Sequence, residues 1–294
     1  MALRIGTAER GGTFHSQGLA LRTLLERHHT PVDIVECAAA SIENANRLHT
    51  GDIDFGFMAA NWPARAKDGA APFTQPIDIR LAAPMNAGPL FFIARAESDI
   101  RAVEDLRGRR VAVGRANSGM TQHARAIFDA LGVSVVPVHL DFAAGADALA
   151  AGEIDAQFQC PIPNQVMTEL SERIPVRVLA YAVGQLEALL VALPSYRRTT
   201  MHKGAIRGLH ADVPQLAVVN VLATHARAPQ SLVRRTVHAI VAGSDELGRL
   251  NPLFLSLDDL LQSLRSQGAA ALDFGVAVHP GALAAYRDHG LLRS

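Results

Sequence analysis

The chain has 294 residues, which suits two domains at about 150 residues each. Lys plus Arg and Asp plus Glu are 28 each, so the formal net charge is zero and the basic footprint of a nucleic-acid binder is missing. At 49% hydrophobic and 19% charged residues, the composition excludes wholesale disorder, and no uninterrupted apolar run reaches the roughly 18 residues of a membrane span.

Short β-branched runs alternate with helical patterns from the start. Leu3–Gly6 reads as a strand and His15–Arg27 as a helix, with Leu19, Leu21, Leu24 and Leu25 on its apolar side. Val32–Glu36 reads as a strand, Ile42–His49 as a helix and Ile53–Met58 as a strand, with Gly51 placed as a left-handed helix terminator. Such alternation predicts a parallel sheet with crossover helices. The order then repeats: strand Arg109–Gly114, helix Thr121–Leu131, strand Val135–Leu140, helix Ala143–Ala151 and strand Ile154–Phe158. Gly51-Asp52-Ile53-Asp54 matches Gly152-Glu153-Ile154-Asp155; each ends a helix and opens a buried strand. Two copies of a βαβαβ unit are too few for a solenoid and predict two related lobes.

Two apolar extended runs, Ile79–Arg95 and Leu216–Thr224, read as crossings between lobes. Helices are expected over Pro229–Leu250, Asp258–Ser266 and Ala282–His289, with Pro229 in a first helical turn. Two crossings put residues 1–86 and 218–294 in one lobe and 87–217 in the other. The expected fold is α/β and two-lobed, of the Venus-flytrap, type II-like kind, with the ligand in a cleft between the lobes.

Each copy has a Gly/Ser/Thr loop before its first helix: Gly11-Gly12-Thr13 and Asn117-Ser118-Gly119. Exposed N–H groups and the positive end of the helix dipole suit such a loop to an anion. Gly114–Gly119 has P-loop spacing but continues Met120-Thr121, without the lysine that reaches nucleotide phosphates, and neither loop fits the dinucleotide fingerprint. Ser41 precedes a predicted helix and reads as an N-cap, as a cleft hydroxyl, or as both. Phe14 reads equally as core or ligand wall, and His15 as a carboxylate donor or a solvated side chain.

The residues give no positive sign of catalysis or metal binding. Cys37 and Cys160 are too few for a disulfide framework or a Cys-rich zinc site; one bridge or two separate apolar thiols remain, the second being preferred. Twelve histidines include no H-E-x-x-H, and His28-His29 face different sides of a helix. There is no G-x-S-x-G elbow, and Asp52/Asp54 read as helix-exit residues rather than an acid/base couple. Lys67 and Lys203 are the only lysines, so few positions suit a catalytic lysine. The reading is therefore of a non-enzyme with no cofactor and no required metal. Arg4, Glu9 and Arg10 interrupt the place of a signal-peptide core, which leaves two expectations: a cytoplasmic protein, or a periplasmic one from which a signal has been removed.

An ordered series of motifs then carries a resemblance. Gly11-Gly12-Thr13-Phe14-His15 resembles G-G-T-Y-Y, Ala40-Ser41-Ile42-Glu43-Asn44 resembles G-S-V-E-N, and Gly51–Gly56 fits G-x-x-D-x-G. Asp105–Gly114 with Ser118-Gly119 is similar to D-L-x-G-K-x-V-x-x-G…S-G-T; Gly152–Phe158 is similar to G-x-x-D-A-x-F; His279-Pro280-Gly281-Ala282 with Tyr286 and Gly290 is similar to H-P-G-A…Y…G. From Gly6 to Gly290 the chain resembles the TAXI family, the solute-binding proteins of TRAP transporters. The resemblance implies an extracytoplasmic receptor that delivers a small carboxylate-bearing ligand to a TRAP membrane permease, with closure as the functional event. The ligand-contacting residues it implies are Gly12, Thr13, Phe14, His15, Ser41, Ile42, Asn61, Met85, Asn117, Ser118, Gly119, Met120, Thr121, Gln159 and Pro161. Ala59-Ala60-Asn61 replaces the family's Gln-Ser-Asp, Met85 replaces an aromatic, and Met120 ends S-G-T. A ligand with one carboxylate and a more apolar body is expected, because a highly polar one would be left with unpaired groups. The alternatives are an enzyme on the same fold (a decarboxylase or transferase) or a cytoplasmic ligand sensor.

Overall fold

A computed structural model describes residues 2–193 and 195–293. The first half-module runs β1 (Leu3–Gly6), α1 (Thr13–Arg27), β2 (Val32–Val35), α2 (Ser41–Thr50) and β3 (Phe55–Ala59). α3 (Trp62–Lys67) and the long β4 (Ile79–Arg95) lead to the second: β5 (Arg110–Ala112), α4 (Gly119–Leu131), β6 (Val136–Val138), α5 (Phe142–Ala151) and β7 (Ala156–Gln159). Then come α6 (Gln165–Arg173), β8 (Val176–Val178), α7 (Gln185–Ala192), β9 (Tyr196–Met201) and the long β10 (Val213–His225). The chain finishes with α8 (Gln230–Ala242), α9 (Ser244–Leu250), α10 (Leu257–Gln267) and α11 (Pro280–Asp288).

The described residues form two compact units. Unit 1 holds residues up to Arg10, Phe14–Ala87 and those from Val219 on; unit 2 holds Gly11–Thr13 and Gly88–Val218. β4 and β10 each belong partly to both, so the chain passes between units on long apolar strands.

In unit 1, β1 lies between β2 and β3, parallel to both, and β10 runs antiparallel to β3 with Asn220 opposite Ala59. The core packs Leu21, Leu24 and Leu25 of α1 with Phe55, Phe57, Val233, Val237, Phe254, Leu261 and Tyr286. Tyr286 is fully buried and gives its hydroxyl proton to Ala82 O at 2.7 Å, so its polar end is satisfied inside the apolar core. In unit 2, β5 lies between β6 and β7 in the same parallel way, and β4 runs antiparallel to β7. Phe92, Phe128 and Phe158 cluster on one side of this sheet, with ring centroids 4.9 and 4.6 Å apart.

The repeated tetrapeptides have repeated structural work. Gly51 and Gly152 terminate α2 and α5 with φ of 83° and 77°, a left-handed turn in which glycine has no steric penalty. The next aspartates then close the sheets. Arg4 N donates to Asp54 Oδ2 at 2.8 Å while Asp54 N donates back to Arg4 O; Arg110 N donates to Asp155 Oδ2 at 2.8 Å, and Asp155 N back to Arg110 O.

Three local expectations are corrected. Ser41 is not an N-cap: it is the first helical residue, Ala40 holds the cap position, and the Ser41 hydroxyl instead accepts from Ala59 N at 3.0 Å. Pro229 stands one residue before the helix, at the N-cap. The helix expected over Pro229–Leu250 is two helices broken at Gly243, where a Cβ would stand 2.6 Å from Leu24 Cδ1. Helices α3, α6 and α7 and strands β8 and β9 had no counterpart in the expected elements.

Candidate functional site

An open α/β sheet forms its binding crevice outside the carboxyl ends of parallel strands, where successive connections leave in opposite directions. In unit 1 that switch point is at β1 and β3; in unit 2 it is at β5 and β7. The loops leaving β1 and β5 are built alike. The second residue before α1 is Gly11, φ 84°; the second before α4 is Asn117, φ 61°. Asn is one of the few residues with a side chain that tolerates this left-handed conformation.

Unit 1 gathers Ser41, Ile42 and Asn61 at the end of β3. Ser41 and Ile42 are buried at the start of α2, and Ser41 is tied to Ala59 N. Asn61 follows β3 and caps no backbone group; its Oδ1 and the indole N–H of Trp62 are buried atoms with no hydrogen-bond partner among the described residues. Phe14 and Met85 are placed differently: both belong to the apolar core, Phe14 stacked on Phe57 at 5.7 Å. His15 faces β2, with Nε2 3.8 Å from Glu36 Oε1, in a groove of about 420 Å³ that it shares with Arg10, Arg22 and Asp33. Its partial burial lowers its pKa, against the pull of Glu36 in the other direction.

Unit 2 brings together Gly12, Thr13, Gln159 and Pro161. The Thr13 hydroxyl lies 3.1 Å from both Cys160 Sγ and Pro161 O, and Asn164 Nδ2 donates to Pro161 O at 3.3 Å. Gln159, at the end of β7, is fully buried, and neither its Oε1 nor its Nε2 has a partner among the described residues. Ser118 is a true N-cap, accepting from Thr121 N at 3.2 Å. The Thr121 hydroxyl donates back to Arg115 O at 2.7 Å, so both hydroxyls help to hold the loop. Asn117 is exposed, Gly119 is buried and Met120 is half-buried.

The buried polar residues are nearly all uncharged. Among the described residues no Asp, Glu, Lys or Arg is buried, and two histidines are. His123 lies in α4 with Nδ1 2.5 Å from the Tyr196 hydroxyl; burial pushes its pKa down to about 4, so the ring is neutral. Cys37 and Cys160 are buried and not joined in a disulfide; burial, with Glu43 nearby, pushes the Cys37 thiol up to about 12. Among the described residues no three metal-binding side chains cluster, and no helix is long and apolar enough to cross a membrane.

The sequence reading missed three residues of unit 1: Gln17, Asn86 and Asn220. Asn86 Oδ1 accepts from Gln17 Nε2 and from Asn220 Nδ2, each at 3.0 Å. All three side chains are at most 2% exposed, and Gln17 Oε1 and Asn86 Nδ2 are left without partners among the described residues. A buried polar group left unpaired costs about 1–3 kcal/mol, so a ligand group that filled both positions would be favoured. A signal was available: Asn86 and Asn220 are lone amides inside the apolar runs that join the units.

The model of the NMT1-like family matches residues 5–290. The chain belongs to the NMT1-like family. This NMT1-like chain is similar in structure to MatC from Rhodopseudomonas palustris with bound malate, at TM-score 0.60 and 13% identity over 93% of this chain and 98% of that one. It is similar to an R. palustris protein with adipate, at TM-score 0.58 and 14% identity over 93% and 95% of the two chains. It is also similar to the periplasmic aliphatic sulphonate binding protein SsuA from Escherichia coli, at TM-score 0.50 and 21% identity over 98% and 83%. At these identities the likeness establishes the fold, which is the mixed α/β, two-lobe fold of periplasmic solute-binding proteins.

Proposed function

We propose that this NMT1-like protein is a periplasmic solute receptor of the TAXI kind. It takes a small organic ligand with one carboxylate and a largely apolar body, and hands it to the membrane permease of a TRAP-type transporter. The observation that carries this reading is the repeated switch-point loop: a left-handed residue two places before α1 and again before α4, each loop leading its helix N-terminus to the end of a parallel strand. Backbone N–H groups and the helix dipole favour a carboxylate there without a charged side chain. The neighbours that bind malate, adipate and sulphonates are in keeping with an anionic ligand.

The residues in unit 1 support the apolar body. Ala59 ends β3 and Ala60 follows it, where the TAXI pattern has polar groups, and both are buried. The proposed ligand-contacting set remains Gly12, Thr13, Ser41, Ile42, Asn61, Asn117, Ser118, Gly119, Met120, Thr121, Gln159 and Pro161. Phe14 and Met85 back it from the core, and His15 flanks it. In this reading the protein binds and releases its ligand unchanged. The His123–Tyr196 pair supports that: a ring held neutral by burial down to about pH 4 is a poor general base.

A thermal-shift series over short alkyl monocarboxylates, followed by mass spectrometry of the incubated ligands, tests the reading. A raised melting temperature with the ligand recovered intact is expected. Conversion of the ligand would favour the decarboxylase or transferase alternative, and no shift with any carboxylate would remove the receptor reading.

A further inference from the structure

The amide cluster of unit 1 carries chemistry that a carboxylate does not use. Gln17, Asn86 and Asn220 come from α1, β4 and β10, and they converge on a single oxygen, Asn86 Oδ1. That leaves the Asn86 amino group as a buried donor and Gln17 Oε1 as a buried acceptor, on two amides already bonded to each other. Turning all three amides round exchanges the two roles without removing either: Asn86 then offers the acceptor and Gln17 the donor. The cluster lies beside the exit of β3, because Asn220 faces Ala59 across the ladder and Ala60 N donates to Val219 O at 2.8 Å. Asn61 and Trp62 follow at once, with a further acceptor and donor that have no partner among the described residues.

A carboxylate offers acceptors only, so it satisfies one prong of this fork and is repelled by the other. A hydroxyl or a primary carboxamide both donates and accepts. We propose that the Gln17–Asn86 fork reads one such neutral group on the body of the ligand. This inference rests on the receptor reading above and makes it narrower: the preferred solute is a carboxylate whose chain carries a single hydroxyl or carboxamide. A site that buries a donor and an acceptor discriminates against an analogue that leaves both unpaired.

Isothermal titration with four probes tests this: hexanoate, its ω-hydroxy derivative, its ω-carboxamide, and the neutral ω-hydroxyhexanamide. Wild-type protein is expected to bind the hydroxy or carboxamide acid about tenfold or more tighter than hexanoate. In Gln17→Met the preference is expected to vanish, the hydroxy and carboxamide acids falling to the affinity that the same variant has for hexanoate. Equal wild-type affinities for the three acids, or a preference that survives in Gln17→Met, overturns the fork and leaves the receptor reading standing. Binding of ω-hydroxyhexanamide without any of the acids overturns the carboxylate reading and leaves the fork. No binding by any probe overturns both. Should Gln17→Met fail to fold, the wild-type series decides alone.

Discussion

The two half-modules solve one packing problem with the same parts in opposite places. Counting from the start of α2 and α5, Asn44 and Gly145 are both fourth; counting from Asp54 and Asp155, Gly56 and Gln157 are both second. In the first module the helix supplies the amide, and Asn44 Nδ2 donates to Thr7 O and Phe57 O at 2.8 Å each. The strand supplies the space: a Cβ on Gly56 would stand 2.9 Å from Asn44 Cβ. In the second module the strand supplies the amide, Gln157 Nε2 donating to Phe142 O at 2.9 Å, and the helix supplies the space, since a Cβ on Gly145 would stand 2.6 Å from Gln157 Nε2. The shared feature is a helix packed on two parallel strands with an amide wedged between; which side carries the amide is free.

A second difference bears on function. The fifth residue of α1 is Gln17 and the fifth of α4 is His123. Both are buried, but Gln17 joins an amide cluster with unpaired groups, whereas His123 is bonded to Tyr196. The first module is thus the one with hydrogen-bonding capacity to spare at this position.

The largest expected effect follows from that contrast. The folded pKa of His123 is about 4, set by burial, against 6.5 for an ordinary histidine. Between these pH values the unfolded chain binds a proton that the folded chain refuses, so stability is complete above about pH 6.5 and falls as the pH drops toward 4. The full excursion is about 3 kcal/mol. His123→Gln, which places the first module's residue in the second, is expected to remove most of that slope from urea-denaturation midpoints measured from pH 4 to 7; an unchanged slope would assign it to other groups.

The exchanged wedge can be tested next. Gly145→Asn alone is expected to cost about 2 kcal/mol through overpacking against Gln157. Adding Gln157→Gly rebuilds the first module's arrangement in the second and is expected to recover at least half of the loss. A double variant no better than the sum of its singles would show that the two wedges are not interchangeable.

The smallest effects are those in which the modules agree. Asp54→Ala and Asp155→Ala each remove the partner of a strand N–H and are expected to cost about 1–2 kcal/mol by thermal denaturation. Asp54 is expected to be the larger of the two, because its carboxylate also pairs with the half-buried Arg4 side chain at 3.3 Å. A null result at either site would break the equivalence of the tetrapeptides.

Much of the architecture was legible because it repeats in sequence. Gly51 and Gly152 mark their turns by identity, and the apolar character of Ile79–Arg95 marks one strand with the predicted limits even though Pro84 and Gly88-Pro89 fall inside it. The later elements of unit 2 were not legible. α7 is short and apolar on most sides, and β9 reads Tyr-Arg-Arg-Thr-Thr-Met, with little alternation to mark a buried face. The two glycine- and asparagine-bearing loops were legible as loops before helices, whereas the buried amides behind them were not. Met85 invited attention as a replaced aromatic, yet it packs in the core, and it is its neighbour Asn86 that meets Gln17 and Asn220. Of the two readings of Ser41 the N-cap fails, because a serine before a helical run looks the same in sequence whether it caps the helix or braces the next strand.

The receptor claim is tested most directly by calorimetry on the purified protein with two ligands side by side, ω-hydroxyhexanoate and glutamate. The account predicts saturable binding of the first and little or none of the second, whose extra charges meet no buried charged partner among the described residues. Tight binding of glutamate, with none of the hydroxy acid or of plain hexanoate, would contradict it.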